Sequence, residues 1–194
     1  AEAAAQPTAP ALAVEAADRS GSDRAASRAT ERQAVKESSD AVARPAPVVM
    51  PLEDGTYEPT SPYGERTDPF TGARALHAGT DMSAPRNTPI HAVAGGVVDY
   101  VGPGKDGRSG MLIVLKHKID GETVYSWYNH MFEDGVHVEE GQKVRAGDVI
   151  GGVGANGKAT GTHLHLEIHT DDELTTVDPL EWLAEHDAVD VTEL

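Results

Sequence analysis

The chain has 194 residues, of which 39% are hydrophobic and 5% aromatic, and this allows one ordinary domain plus a segment that does not pack. Its 16 basic side chains against 32 acidic ones give a formal net charge of -16, which argues against nucleic-acid binding because such proteins neutralise phosphates with Lys and Arg. The chain has no cysteine, which excludes disulfides and thiolate metal sites, and it lacks the run of about 18 apolar residues that predicts a transmembrane segment.

Residues 1–48 form a low-complexity tether in our interpretation. They are rich in Ala, Ser, Pro and charged residues and contain no Phe, Tyr or Trp. Such a segment buries too little apolar surface to offset the entropy of ordering it, so we predict that it is disordered or marginally helical. Because the chain starts at Ala1 without a basic-then-apolar leader, we expect a processed piece of a longer product.

Residues 49–194 predict one all-β domain. Short strand-like runs are bounded by turn formers such as Asp120-Gly121 and Asn156-Gly157, which indicates antiparallel sheets with hairpins. The runs are HAVAGGVVDYVG, MLIVLKHK, ETVYSWYNHM, VRAGDVIGGVG and THLHLEIH. The one convincing helix is DPLEWLAEH near the C-terminus, with Asp178 as a candidate N-cap and Pro179 at the first helical position.

The stretch GTHLHLEIHT at 161–170 places polar side chains along one whole face of a predicted strand. Leucine and isoleucine alternate there with His163, His165, Glu167 and His169. Because side chains alternate between the two faces of a strand, His163 and His165 point the same way, roughly 7 Å apart. Two imidazoles on one face suggest metal binding or proton transfer.

A second polar pair lies upstream, where His77 and Asp81 are four residues apart in HAGTDMSAP. Gly79 and the flanking Gly72 and Pro85 argue against a helix there. On a fully extended strand the two side chains would be roughly 13 Å apart, so we expect a bend at Gly79 to bring them to one ion.

If one histidine of the HLH pair lies close to His77 and Asp81, the three residues form a ligand set of two imidazoles and a carboxylate. Three protein ligands with an open fourth position are typical of catalytic zinc. The remaining HLH histidine and His130, at the end of the SWYNHM strand, are the candidates for proton transfer beside the metal.

From about residue 63 to 183 the sequence resembles the lysostaphin-type, or LytM-like, zinc metallopeptidases that cut peptide bridges of bacterial peptidoglycan. The motifs that carry the resemblance are YGERTDPFTGARALHAGTD, TPIHAVAGGVV, YSWYNHM, VEEGQKVRAGDVIGGVGANGKATGTHLHLEI and DPLEWL. The resemblance implies that His77, Asp81 and His165 bind Zn²⁺. It also implies that His163 and His130 are the catalytic pair, one helping to activate water and the other stabilising the oxyanion.

The same resemblance implies an open substrate groove, which we expect the loops at 64–75 and 153–161 to wall. It implies a secreted or envelope-facing enzyme, most simply a monomer, that acts on stem or bridge peptides of peptidoglycan. Tyr63, Arg66 and Tyr128 are candidates either to line the groove or to pack against the sheet. We carry no catalytic role onto the other histidines, and we expect His137, His169 and His186 to be solvated.

Two alternatives remain. VEEGQKVRAGDVIGGVG also resembles half of a biotinyl or lipoyl carrier domain, but Lys143 and Lys158 lack the hairpin-tip setting of a modified lysine. The chain could instead be a non-catalytic or latent LytM-like module that binds the wall or regulates another hydrolase through a protein partner. In that case the metal site would be blocked by a carboxylate from the N-terminal tail or from Glu53 or Asp54.

Overall fold

The computed structural model describes residues 47–194. Apart from its last two residues, the predicted tether lies outside the described residues, so its boundary at residue 48 stays a prediction. The described part contains one α-helix, α1 (Pro179–Glu185). The strands are β1 (Glu58–Ser61), β2 (Gly64–Thr67), β3 (Arg74–His77), β4 (Thr80–Ser83), β5 (Pro89–His91), β6 (Gly96–Pro103), β7 (Met111–Ile119), β8 (Glu122–Met131), β9 (Lys143–Val144), β10 (Val149–Gly152), β11 (His163–His169) and β12 (Thr176–Val177).

Most of these strands form one large antiparallel sheet. Its order is β1-β4-β11-β8-β7-β6-β9, with β12 paired to the free part of β11. Two separate ribbons, β2–β3 and β5–β10, complete the described domain. The predicted all-β fold with antiparallel pairing and a short C-terminal helix is therefore confirmed. No helix within residues 47–194 is long and apolar enough to cross a bilayer.

The alternation in β11 gives this strand an apolar face and a polar face. Leu164, Leu166 and Ile168 are fully buried in the hydrophobic core, where residues such as Met82, Leu52 and Leu183 also lie. We call the opposite face, which carries His163, His165, Glu167 and His169, the groove face. Burial of the aliphatic set fixes the register, because a slip of one residue would exchange the two faces.

Of the two turns predicted to form hairpins, one does so and the other does not, and the predicted helix cap is present. Asp120 and Gly121 have φ of 51° and 87° and join β7 to β8, as the sequence predicts for a tight hairpin. Asn156-Gly157 instead lies in the 153–162 loop between β10 and β11, two strands that do not pair. The predicted cap of α1 is present, since the Asp178 carboxylate accepts hydrogen bonds from the backbone N–H groups of Leu180 and Glu181.

Candidate metal centre

The candidate metal ligands come from two strands of the large sheet and from the end of a ribbon. Asp81 in β4 and His165 in β11 are direct register partners across an antiparallel pair. His77 is the last residue of β3, and Ala78 and Gly79 separate β3 from β4. The expected bend is therefore present, and it allows two residues four positions apart to face one point.

Gly79 is required there for a reason that differs from our expectation. Its φ does not lie in the left-handed region, so conformational freedom is not the cause. A Cβ at this position would collide with the carbonyl oxygen of Leu166 and would lie 2.9 Å from both His165 Nε2 and Glu167 Cγ. Glycine thus permits the close approach of the chain to β11.

The three ligand atoms form a small triangle. His77 Nε2 is 3.2 Å from Asp81 Oδ1 and 3.0 Å from His165 Nδ1, and His165 Nδ1 is 2.7 Å from Asp81 Oδ1. Ligands of a tetrahedral zinc ion, at about 2.0–2.1 Å from the metal, lie roughly 3.3–3.4 Å from one another. The triangle is slightly tighter than that, and these residues form a group that could hold a metal ion.

The outer nitrogens of both histidines are held by acceptors. His77 Nδ1 donates to the carbonyl oxygen of Pro62 at 2.7 Å, and His165 Nε2 donates to Glu167 Oε1 at 3.0 Å. In the neutral rings the lone pairs of the inner nitrogens are therefore directed at the triangle, as in histidine metal ligands generally. Two lone pairs and a carboxylate oxygen converge there, which favours a cation between them.

The candidate ligands shift one another's pKa values. Burial alone would raise the pKa of Asp81, but His165 and His77, which donate hydrogen bonds to this carboxylate in their protonated form, outweigh it and hold that pKa well below its ordinary value. Burial would lower the pKa of His165, yet the hydrogen bonds and charges of Asp81 and Glu167 raise it. Asp81 is thus a carboxylate at neutral pH, as a metal ligand must be.

His163 and His130 lie next to the triangle. Their ring centroids are 4.9 Å apart, and His163 Nε2 is 3.6 Å from Asp81 Oδ1. His130 has a left-handed φ of 71°, and Asn156 holds it on both sides: its carbonyl accepts from His130 Nδ1 at 3.0 Å and its N–H donates to the His130 carbonyl at 2.9 Å. Burial, followed by the nearby His163 and His165, lowers the pKa of His130 to about 4.

These residues line a cleft of about 270 Å³. The β2–β3 ribbon forms one wall and carries Phe70 and Leu76, whose exposures of 53% and 56% leave apolar surface facing solvent. The 153–162 loop contributes Lys158 and Thr160 to another wall, so both expected loops border the cleft. A third wall, residues 106–109 between β6 and β7, was not predicted.

Three polar residues of this cleft were not among the predicted site residues: Glu167, Arg108 and Asn129. Strand alternation placed Glu167 on this face, two residues after His165, but its hydrogen bond with His165 was not predicted. Asn129 is the register partner of His165 on β8, a pairing that only the folded sheet reveals. Arg108 lies in a loop, and nothing in the local sequence indicates that it reaches β11.

The remaining candidates lie elsewhere. Arg66 borders the cleft, with its Nη2 3.6 Å from Asp81 Oδ2, whereas Tyr128 is fully buried in the core. Tyr63 packs at the edge of the sheet, where its hydroxyl donates to the Thr176 carbonyl at 3.0 Å. Glu53 and Asp54 are not among the cleft residues, so neither blocks the triangle.

The expectation that His169 is solvated is wrong. It is 1% exposed, stacks on Trp127 with a centroid distance of 4.5 Å, and donates from Nε2 to Glu167 Oε2 at 2.8 Å. The alternation of β11 continues to its last residue and places His169 on the groove face. His117 is also buried, and its Nδ1 donates to the Gly95 carbonyl while its Nε2 lies 2.7 Å from Ser126 Oγ.

The chain is similar to a protein family model and to several known proteins. Residues 75–179 match the family model described as Peptidase family M23. The chain is 38% identical over 108 residues to the DD-carboxypeptidase/endopeptidase Mpg of Neisseria meningitidis serogroup B, a match that covers 56% of this chain and 23% of that protein. The chain thus spans about a quarter of the length of this curated relative.

Two solved structures share the fold. A zinc-containing peptidase from Vibrio cholerae has a TM-score of 0.58 and 31% identity, covering 70% of this chain and 39% of that one. The catalytic domain of lysostaphin from Staphylococcus simulans has a TM-score of 0.57 and 28% identity, covering 66% of this chain and 92% of that one.

Proposed function

Because the chain belongs to peptidase family M23, we propose that it is a zinc-dependent endopeptidase that hydrolyses peptide cross-links or bridges of bacterial peptidoglycan. The observation that carries the proposal is the convergence of His77, Asp81 and His165 on one point at the floor of an open cleft, with two further imidazoles beside it. A secreted or envelope location follows from the proposed substrate.

Zinc suits the donor set better than the other common divalent cations. Imidazole and carboxylate ligands are typical of zinc, whereas calcium and magnesium prefer sites built from oxygen alone. With His77, Asp81 and His165 as ligands, the cleft side remains open for substrate. When bound, zinc supplies a Lewis acid that polarises the scissile carbonyl and acidifies water.

The residues of the chain supply proton transfer and charge stabilisation. The lowered pKa of His130 keeps this ring neutral near pH 7, and because Nδ1 donates to Asn156, its Nε2 carries a lone pair that can accept a proton. We assign proton acceptance to His130. His163, with its Nε2 beside Asp81, is placed to donate to the oxyanion once it is protonated.

The apolar surface of the β2–β3 ribbon gives the cleft a peptide-binding character. Phe70 and Leu76 offer contacts for small aliphatic side chains, while Arg66 and Lys158 add positive charge in a chain that is strongly acidic overall. A peptide with methyl side chains and a carboxylate, such as the stem peptide of the wall, fits this combination.

The test is mass spectrometry of fragments released from isolated sacculi, with and without a chelator. We expect new peptide ends that appear only without the chelator. If zinc binds stoichiometrically and no fragment appears, the chain is instead a binding or regulatory module.

Matched variants separate the roles of the imidazoles. His165→Ala should lose zinc and cleavage together, whereas His163→Ala should keep zinc and lose about 10²- to 10⁴-fold in turnover. His137→Ala, outside the cleft, is the control and should match the parent protein. A full zinc equivalent retained in His165→Ala would refute the ligand assignment.

A further inference from the structure

Glu167 is a buried carboxylate next to a candidate metal ligand. It is 1% exposed and accepts hydrogen bonds from His165 Nε2 on one oxygen and from His169 Nε2 on the other. Burying a charged carboxylate costs several kcal/mol unless it is paired, and neutral imidazoles supply no formal charge to compensate it. The compensating charge comes from Arg108.

Arg108 reaches Glu167 from the unpredicted third wall of the cleft. Its Nε donates to Glu167 Oε1 at 2.8 Å and its Nη2 to Oε2, so the planar guanidinium engages both carboxylate oxygens. These contacts raise the pKa of Arg108 and hold that of Glu167 far below its ordinary value, although burial alone would raise the latter. The two-oxygen contact is the geometry typical of an ionised guanidinium–carboxylate pair.

The guanidinium itself is fixed by its surroundings. Its Nη1 donates to the carbonyl oxygen of Asp106 at 2.6 Å, and its Cζ lies 5.2 Å from the ring centroid of Trp127. Trp127 in turn stacks on His169. The side chain of Arg108 is only 16% exposed, so it is held in place on the groove face, unlike a typical surface arginine.

We propose that Arg108 is a positioning residue for the metal ligand His165: it fixes Glu167, and Glu167 fixes the imidazole so that Nδ1 is directed at His77 and Asp81. The inference rests on the zinc site of the proposed function. Without the guanidinium, the Glu167 carboxylate would be buried with no counter-charge, and its escape toward solvent in the cleft would leave His165 Nε2 without its acceptor.

Zinc affinity measures this directly, with no dependence on wall cleavage. Metal-free protein would be titrated with Zn²⁺ in competition with a chelating indicator. Loss of an outer partner of a metal-bound histidine typically costs about 10- to 100-fold in metal affinity, and we expect a rise of that size in Kd for Arg108→Ala. Arg108→Lys, which keeps the charge without the two-oxygen contact, should recover part of the loss.

Lys105→Ala is the matched control. Lys105 lies in the same loop, and its Nζ is 5.4 Å from the same Trp127 ring centroid, but it makes no contact with Glu167 among the described residues. Its zinc Kd should equal that of the parent protein. The visible spectrum of bound Co²⁺, which reports ligand geometry, should change in Arg108→Ala and stay unchanged in Lys105→Ala.

Three results would overturn the inference: a folded Arg108→Ala variant with the parental zinc Kd, an equal loss of affinity in Lys105→Ala, or a parent protein that binds no zinc. Only the last also removes the proposed function. If Arg108→Ala does not fold, Glu167→Gln decides, because it keeps an oxygen for His165 and removes the charge that holds the guanidinium. An unchanged Kd in Glu167→Gln overturns the inference, and a raised one supports it.

Discussion

Replacing Asn129 by leucine should stabilise the protein. Asn129 lies on the groove face opposite His165 and is 1% exposed, yet neither its Oδ1 nor its Nδ2 has a hydrogen-bond partner among residues 47–194. A buried polar group left unpaired costs about 1–3 kcal/mol. Leucine has the same branched shape without the polar atoms, although its larger methyl groups offset part of the gain through crowding.

Because crowding offsets part of the gain, the net effect we expect for Asn129→Leu is an increase of about 1–2 kcal/mol in the free energy of unfolding. In a domain of this size, 1 kcal/mol corresponds to roughly 2–4 °C, so the melting temperature should rise by about 2–8 °C. Calorimetry on metal-free protein measures the shift, and urea denaturation followed by far-UV circular dichroism gives the free energy.

The companion variant Asn129→Ala removes the same polar atoms but leaves a small cavity, and it should be less stable than Asn129→Leu. If Asn129→Leu loses more than about 1 kcal/mol, the amide is paired in solution and our reasoning is wrong. Activity should fall while stability rises, because polar groups retained at a cost in stability are typical of functional sites.

Three further predictions concern backbone, pH and capping. Gly79→Ala should lower the free energy of unfolding by about 1–3 kcal/mol and weaken zinc binding, because its Cβ would displace β11; thermal unfolding with and without zinc tests both effects. The pKa of His130 near 4 means that the unfolded chain, with a histidine pKa near 6.5, binds a proton that the folded state rejects. The contribution of His130 to the free energy of unfolding is therefore complete above about pH 6.5, and about 3 kcal/mol of it is lost as the pH falls toward 4. Urea denaturation across this range should show that the free energy of unfolding depends less on pH in His130→Gln than in the parent protein. Asp178→Ala should cost about 1 kcal/mol by removing the cap of α1, as measured by urea denaturation; an unchanged midpoint would contradict the capping role.

Period-two patterning predicted much of the fold and of the candidate site. In β11 the aliphatic residues are buried, and His163 and His165 share the opposite face, because alternation is a local property of an extended chain. The same rule placed Glu167 and His169 on that face, but it gave neither residue a partner or a role. We expected His169 to be exposed to solvent because its neighbours in the sequence are charged. In the folded protein it is buried and stacks on Trp127.

The contacts that the sequence could not predict depend on tertiary structure. Arg108 meets Glu167 across 59 positions, and the left-handed backbone of His130 is held by Asn156, which is 26 positions away. Loops between strands carry no periodic signal that would indicate their partners. The Gly79 result shows a related limit, since a glycine needed for close approach and one needed for its dihedral angles look alike in a sequence.

The candidate ligands do not all belong to one layer of the domain. Asp81 and His165 are neighbours in the large sheet, whereas His77 ends the separate β2–β3 ribbon that carries Phe70 and Leu76. An ion bound by all three residues would cross-link the ribbon to the sheet. Loss of the ion would then abolish catalysis and also loosen the wall of the cleft that the ribbon forms. A metal-free molecule would therefore bind its peptide more weakly as well as fail to cut it.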